Sequence, residues 1–254
     1  MSKIKIVTID KNNISEYPPR CFLNPKNEGY IIKKEWLKKR FSEGMNIKQL
    51  YLENEKKAVS FIEYIPGEYA WRAVDAKEYM FIHCLWTSKN TYKNQGHASL
   101  LIDECINDAK KLDMAGVAVI TSEGPFMAGK DIFLKNGFKS VASEKPSFEL
   151  MVKEFKTAET PKFMDWKNQL EHYDGLHIIY SDQCPWVSRF ITELDEIQIK
   201  ENINLTITKL RTAAEAQHAP SVYASFNLIY NRKLLADHYI SKTRFLNIIK
   251  KEIH

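Results

Sequence analysis

Polarity alternates from Lys3 to Asp10 (Lys-Ile-Lys-Ile-Val-Thr-Ile-Asp), the period of a half-buried strand. After a turn at Pro18 and Pro19, apolar residues recur at helical spacing among lysines over Gly29 to Phe41, which predicts an amphipathic helix. Three β-type runs follow, Gln49 to Glu53, Ala58 to Ile65 and Tyr79 to Thr87, with Pro66-Gly67 as the turn between the second and third. From Ala98 to Leu112 the apolar positions Leu101, Ile102, Cys105, Ile106, Ala109 and Leu112 mark one buried helical face. Gly116 to Thr121 reads as a strand. A short helix stops at Asn136-Gly137, and Phe148 to Phe155 is rich in β-formers. The expected order is β-α-β-β-β-α-β-α-β.

Residues 156–174 are polar, lack a strong period and include Pro161, so a linker is expected there, between a first domain over 1–155 and a second over 175–254. The second pattern reads as strand His177 to Ser181, one helix Val187 to Ile199, strand Leu205 to Leu210 and short helix Thr212 to Gln217. A hairpin follows, Val222 to Tyr230 with Leu234 to Ala236, and then a closing helix Thr243 to Ile253.

Composition narrows the classes. With 44% hydrophobic and 27% charged residues the chain is ordinary globular material. Its longest apolar runs are strand-sized, far below the roughly 20 residues of a membrane helix, and the first ten residues do not read as a secretory signal. A cytoplasmic protein without a membrane partner is expected. Four cysteines, Cys21, Cys84, Cys105 and Cys184, form no CxxC pair and have no histidine at ligand spacing, so no metal site is expected. The net charge of +5 suits an anionic small molecule better than nucleic acid, which calls for a denser basic patch.

The chemistry concentrates where a strand passes through a polar loop directly into the amphipathic helix, Phe81-Ile-His-Cys-Leu-Trp-Thr-Ser-Lys-Asn-Thr-Tyr-Lys-Asn-Gln-Gly-His-Ala-Ser. Main-chain N–H groups at such a junction lack partners, and the helix dipole favours negative charge there. Gly96 and Ala98 leave room for a close approach, and Lys93 adds charge.

Lys93-Asn94-Gln95-Gly96-His97-Ala98 resembles the coenzyme A loop of the GNAT acetyltransferases, Gln/Arg-x-x-Gly-x-Gly/Ala, with lysine at its first position. Asp131 to Phe138 resembles that family's later helix and its Gly-Phe ending, so the likeness covers residues 1–155. It implies an α/β (α+β) acyl-CoA N-acyltransferase fold with a mixed central sheet, acetyl-CoA as cosubstrate and a small-molecule or peptide amine as acceptor. Trp86, Thr87, Ser88, Lys93 to Ser99 and Lys130 would contact the coenzyme, between strands Tyr79 to Thr87 and Gly116 to Thr121 that splay apart. For the base, Glu123 comes first, then His83 and Glu78; Cys84 reads as a core thiol. The tyrosine that many members use to protonate the leaving thiolate falls at Phe133, which has no proton to give.

Gly124-Pro-Phe-Met-Ala-Gly-Lys130 fits the spacing of a nucleotide-binding P-loop. Asp131 stands where Ser or Thr should bind magnesium, and Phe126 and Met127 are bulky where the loop wraps tightly, so a false match is expected.

Residues 176 to 254 resemble a thioredoxin-like fold, with Cys184-Pro185-Trp186-Val187 opening a helix and Ala219-Pro220 before a hairpin. That resemblance implies a helix-start thiol of lowered pKa facing a proline that is often cis. Val187 in place of a second cysteine excludes CxxC cycling. The combination resembles the YoaP-like class of acetyltransferases. Another class of answer stays open: a non-catalytic acyl-CoA sensor or a monothiol redox-linked binding module using Cys184. Exposed strand edges would also suit a homodimer.

Overall fold

The computed structural model describes residues 3–19, 24, 26–201 and 203–253; Cys21 lies outside them. The chain forms two compact units, one of Met1–Phe22, Leu37–Ala70 and Asp75–Lys162, the other of Leu23–Trp36, Trp71–Val74 and Phe163–His254.

The first unit is built on seven strands, β1 (Ile4–Ile9), β2 (Asn46–Leu52), β3 (Ser60–Pro66), β4 (Tyr79–Thr87), β5 (Gly116–Thr121), β6 (Lys139–Glu144) and β7 (Phe148–Glu154). They lie in the order β1-β2-β3-β4-β5-β7-β6. Every neighbouring pair is antiparallel except β4 and β5. Two parallel strands need a crossover long enough to return the chain, and here a helix supplies it. Helix α1 (Glu28–Arg40), whose residues up to Trp36 group with the second unit, precedes β2, α2 (His97–Lys111) joins β4 to β5, and the short α3 (Lys130–Lys135) follows β5.

The pattern read for α2 is the face it buries, except at Leu112, which caps the helix end and is exposed: Leu101, Ile102, Cys105, Ile106 and Ala109 pack among Leu50, Ile62, Tyr64, Ile82, Val117 and Val119. Polar bonds fix the helix on the sheet as well. Lys48 Nζ reaches Glu104 at 2.6 Å and Asp108 at 2.9 Å, and the Tyr64 hydroxyl donates to Asp108 at 2.6 Å. Burial works against both charges, yet the bonds outweigh it, holding the Lys48 ammonium above and the Asp108 carboxyl below their ordinary values.

The second unit contains α4 (Trp166–Leu170), β8 (Leu176–Tyr180), α5 (Pro185–Thr192), α6 (Leu194–Glu201), β9 (Leu205–Lys209), α7 (Ala213–Gln217), β10 (Phe226–Tyr230), β11 (Lys233–Ala236) and α8 (Lys242–Glu252). Its sheet runs β9-β8-β10-β11, parallel between β8 and β9 and antiparallel elsewhere. Phe190 of α5 centres the core, edge-on to Phe226 and Phe245.

The structure corrects several expectations. Strand β6 was not anticipated because Lys139-Ser-Val-Ala-Ser-Glu is an edge strand whose residues stay largely exposed, so no alternation marks it. The single helix expected over Val187 to Ile199 is two, broken at Glu193, although Phe190, Leu194 and Ile197 continue the apolar spacing. Helix α4 lies in the stretch expected to be linker, and residues 222–225 fall outside the strand that begins at Phe226. Nor is the second unit one continuous stretch: Ala73 donates its N–H to Val222 and accepts from Met164, bonds invisible to a local reading. Finally, the Ala219–Pro220 peptide is trans.

Candidate functional site

The site of the first unit begins with a fault in the sheet. On its β3 side, β4 stays paired as far as Thr87, but the register slips: Tyr64 faces Ile82 while Glu63 faces Cys84. His83 is therefore the extra residue of a β-bulge, which bends a strand away from its neighbour. On the other side the β4–β5 ladder stops at Ile82 and Val119, although β5 continues against β7 to Thr121. Beyond that point the two parallel strands part, leaving the far half of β4 without a ladder on the side facing β5.

The loop after β4 reaches α2 through two left-handed residues, Asn94 at φ 60° and Gly96 at φ 82°. A Cβ on Gly96 would meet no atom within 4 Å, so backbone conformation, not space, calls for glycine here. No side chain caps α2. His97 is buried, with Nδ1 3.2 Å from the Tyr92 carbonyl, and the Ser99 hydroxyl accepts from Asn136 Nδ2 at 3.1 Å. These bonds hold the loop and helix start in place while the first-turn N–H groups face outward.

A cavity of about 610 Å3 opens at this helix start. Of the residues expected to hold a ligand, Trp86, Thr87, Lys93, Asn94, Gly96, His97, Ala98 and Ser99 line it. Ser88 does not, because its N–H turns to the Val59 carbonyl at 2.8 Å. Gln95 does not either, its amide being bonded to the Thr91 carbonyl at 2.5 Å. Lys130 is also absent from the wall: Nζ sits 2.5 Å from Glu149, on a side chain 47% exposed.

The opposite wall is Met127, Ala128, Gly129, Asp131, Ile132 and Lys135. Part of this is the Gly124–Lys130 segment, which does not form a phosphate loop. Phe126 takes a left-handed φ of 67° with its side chain exposed, α3 has only six residues, and the lysine that should grip phosphate is engaged by Glu149. Leu85 and Tyr92 complete the wall; the tyrosine hydroxyl bonds Glu55.

The candidate bases separate. Glu123 is exposed just past β5, its N–H bonded to the Ser147 hydroxyl at 3.2 Å. Glu78 is exposed at the opposite end of β4 from the cavity and accepts from the Glu159 N–H at 3.4 Å. His83 is buried in the bulge, Nδ1 3.6 Å from Glu63 and ring edge-on to Phe81 at 5.7 Å. Glu63 was not singled out from the sequence, because a lone glutamate in a strand reads as solvent-facing; only the register slip brings it to the histidine. Phe133 is wholly buried against Phe138 and faces the core, not the cavity.

These features can be set against known proteins. No family model matches the chain. The protein named "Uncharacterized N-acetyltransferase YoaP" from Bacillus subtilis (strain 168) is 31% identical over 249 residues, 96% of this chain and 97% of that protein. The chain belongs to the GNAT N-acetyltransferases, in the YoaP family. Among solved structures, this GNAT chain is similar to a putative streptothricin acetyltransferase from Bacillus anthracis str. Ames in complex with acetyl coenzyme A (15% identity, TM-score 0.43, 61% of this chain and 99% of that one). It is also similar to an acetyltransferase of the GNAT family from Staphylococcus aureus Mu50 (15% identity, TM-score 0.45, 61% and 100%).

In the GNAT chain's second unit, Cys184 precedes the first residue of α5, with Pro185 as that residue. N–H groups of Trp186 and Val187 point at its sulfur, and Lys33 and Arg72 add positive charge, yet burial outweighs them and pushes the thiol up. The lowered pKa expected of a helix-start cysteine is thus reversed by desolvation. Arg72 is bonded to the Gln183 side-chain oxygen and lies 4.4 Å from the Tyr223 ring centre. Gly29 of α1 closes over the helix start so tightly that a Cβ there would be 2.1 Å from the Pro185 carbonyl oxygen.

Proposed function

We propose that the chain transfers an acetyl group from acetyl-CoA to the nitrogen of a small-molecule or peptide amine, and that the cavity at the start of α2 receives the coenzyme. The observation that carries this is an uncapped fifteen-residue helix opening behind a left-handed glycine onto a cavity bordered by an unladdered strand edge. Its donor set fits a pyrophosphate: outward main-chain N–H groups, the positive end of the helix dipole and the Lys93 ammonium. The open edge of β4 beyond Ile82 suits the amides of a pantetheine arm, since an unladdered strand pairs with whatever amide lies along it. When bound, the coenzyme supplies an activated acyl carbon and a thiolate leaving group. The chain's residues hold it, orient it and manage the proton.

Residues 1–155 are the catalytic domain in this reading. The second is thioredoxin-like: a parallel β8–β9 pair, an antiparallel β10–β11 hairpin and a cysteine opening the helix after the first strand support it. With a raised thiol and Val187 in place of a second cysteine, we assign that domain a supporting or binding role.

Calorimetric titration of the whole chain with acetyl-CoA and with ATP-magnesium tests the reading, on the parent and on Gly96→Glu. Expected is binding of acetyl-CoA that weakens at least about 100-fold in the variant, where a carboxylate is placed on an anion site and a side chain on a left-handed residue. No binding of acetyl-CoA by the parent, or equal binding by the variant, overturns it.

A further inference from the structure

A polar side chain shut inside a sheet face loses hydration and is costly unless something replaces each lost hydrogen bond. In the second unit three such side chains sit together. Ile178, Phe226 and Leu228 turn one face of the sheet to the Phe190 core, and strand alternation sends Ile179, Ser181, Ser225 and Asn227 to the other. Ser181, Ser225 and Asn227 are 0%, 1% and 0% exposed. Ser181 Oγ, Ser225 Oγ and Asn227 Oδ1 have no hydrogen-bond partner among the described residues.

The strand register brings the three together. Asn227 pairs with Ile179, and the next step along the same ladder sets Ser181 opposite Ser225, whose carbonyl accepts the Ser181 N–H at 3.1 Å. Side chains facing each other across such a pair start about 5 Å apart at Cβ, which is wide for a direct hydroxyl bond and suits one small bridging molecule. Asn227 stands two residues along the same face. Its amide nitrogen donates to the Ile179 carbonyl and to the Ala224 carbonyl, both at 3.0 Å. Those bonds use both amide hydrogens and hold the group beside the turn that Ser225 follows, leaving Oδ1 as an acceptor in need of a donor.

Counting donors and acceptors identifies the bridging molecule. Each hydroxyl has a hydrogen to give, and the amide oxygen has lone pairs to receive one. A water accepts from both hydroxyls and donates to the amide oxygen, which makes three bonds, the usual number for a buried water. A cation would need lone pairs from all three oxygens, with no carboxylate among them to balance its charge. An anion would be repelled by Asn227 Oδ1.

We propose that one water molecule is bound here as a fixed part of the second unit, bridging Ser181, Ser225 and Asn227. It ties the end of β8 to the start of β10 where the chain leaves toward Cys184 and α5. The site does not depend on acetyl-CoA.

A crystal structure of the full chain that resolves ordered solvent should show a peak about 2.7 to 3.2 Å from all three oxygens. In solution, oxygen-17 relaxation dispersion counts the waters held inside a protein. The parent should hold one more than Ser181→Ala/Ser225→Ala, which takes away two of the three bonds and keeps both Asn227 bonds to the main chain. Hydroxyls that touch each other with no solvent peak between them overturn the proposal, and so does an equal count in parent and variant. A peak with more numerous and shorter oxygen contacts, about 2.3 to 2.6 Å, would mean a hard cation and overturns it too. If the variant fails to fold, the solvent peaks of the parent decide.

Discussion

Helices α2, behind Gly96, and α5, behind Cys184, each begin a short loop after a strand without a side-chain hydrogen bond capping the first turn. Both present N–H groups and a positive dipole end, so on local chemistry both are anion sites. They are used in opposite ways. At α2 the residue before the helix has no side chain, the space beside it is open, and a cavity of about 610 Å3 lies in front. At α5 the preceding residue places its own sulfur under the N–H groups of Trp186 and Val187, and α1 closes over the start. A helix start is therefore only a capacity; what stands in front of it decides whether a ligand or the chain itself takes it up.

The closure over α5 can be broken at Gly29, where we expect the largest effect. A methyl group there would overlap the Pro185 carbonyl, a backbone atom that cannot swing aside. Gly29→Ala should cost about 2 to 3 kcal/mol, the scale of overpacking a tight contact, read as a lower denaturation midpoint. An alanine variant as stable as the parent would show that the contact yields easily.

Cys184 gives the next largest effect. Burial pushes its thiol up, so the thiolate fraction at neutral pH is below that of an ordinary cysteine. Alkylation at pH 7.5 should run about tenfold slower than for a small free thiol, because the thiolate is the reacting form and burial makes it scarce, and it should accelerate as pH rises through the raised value. In Gly29→Ala the same rate should increase, since opening the helix start rehydrates the sulfur. Fast alkylation of the parent would mean that the dipole and the nearby cations win, and that α5 is as available as α2.

How much of this contrast the sequence shows depends on the range of the interactions. Helix α2 was readable because its buried face repeats within a few residues, and strand Tyr79–Thr87 because its apolar run is bounded by polar loops. The lining residues Lys93 to Ser99 were readable as a motif, Gln95 excepted. The bulge at His83 was not, since a one-residue slip is defined only against β3, and with it Glu63 was missed. The α5 thiol was misjudged for a related reason: its position at a helix start is local, but part of what packs against that helix start comes from residue 29, more than 150 positions earlier in the chain. Segments 23–36 and 71–74 group with the second unit through contacts that no window of sequence contains.

Lys130 tests the other side of the comparison, and there the expected effect is the smallest. In sequence it stands beside the cavity and invites use as a phosphate ligand. In the fold its ammonium is 2.5 Å from Glu149, and Glu123 adds further negative charge, holding Lys130 above its ordinary value. A cation already neutralised and half exposed has little attraction left for a pyrophosphate. Lys130→Ala should therefore bind acetyl-CoA within about twofold of the parent, whereas Lys93→Ala, which removes a cation that lines the cavity, should bind several-fold more weakly, the difference widening at low salt. If Lys130→Ala proves the weaker binder, the Glu149 pair must open when the coenzyme arrives, and the anion site of α2 extends across the cavity to the start of α3.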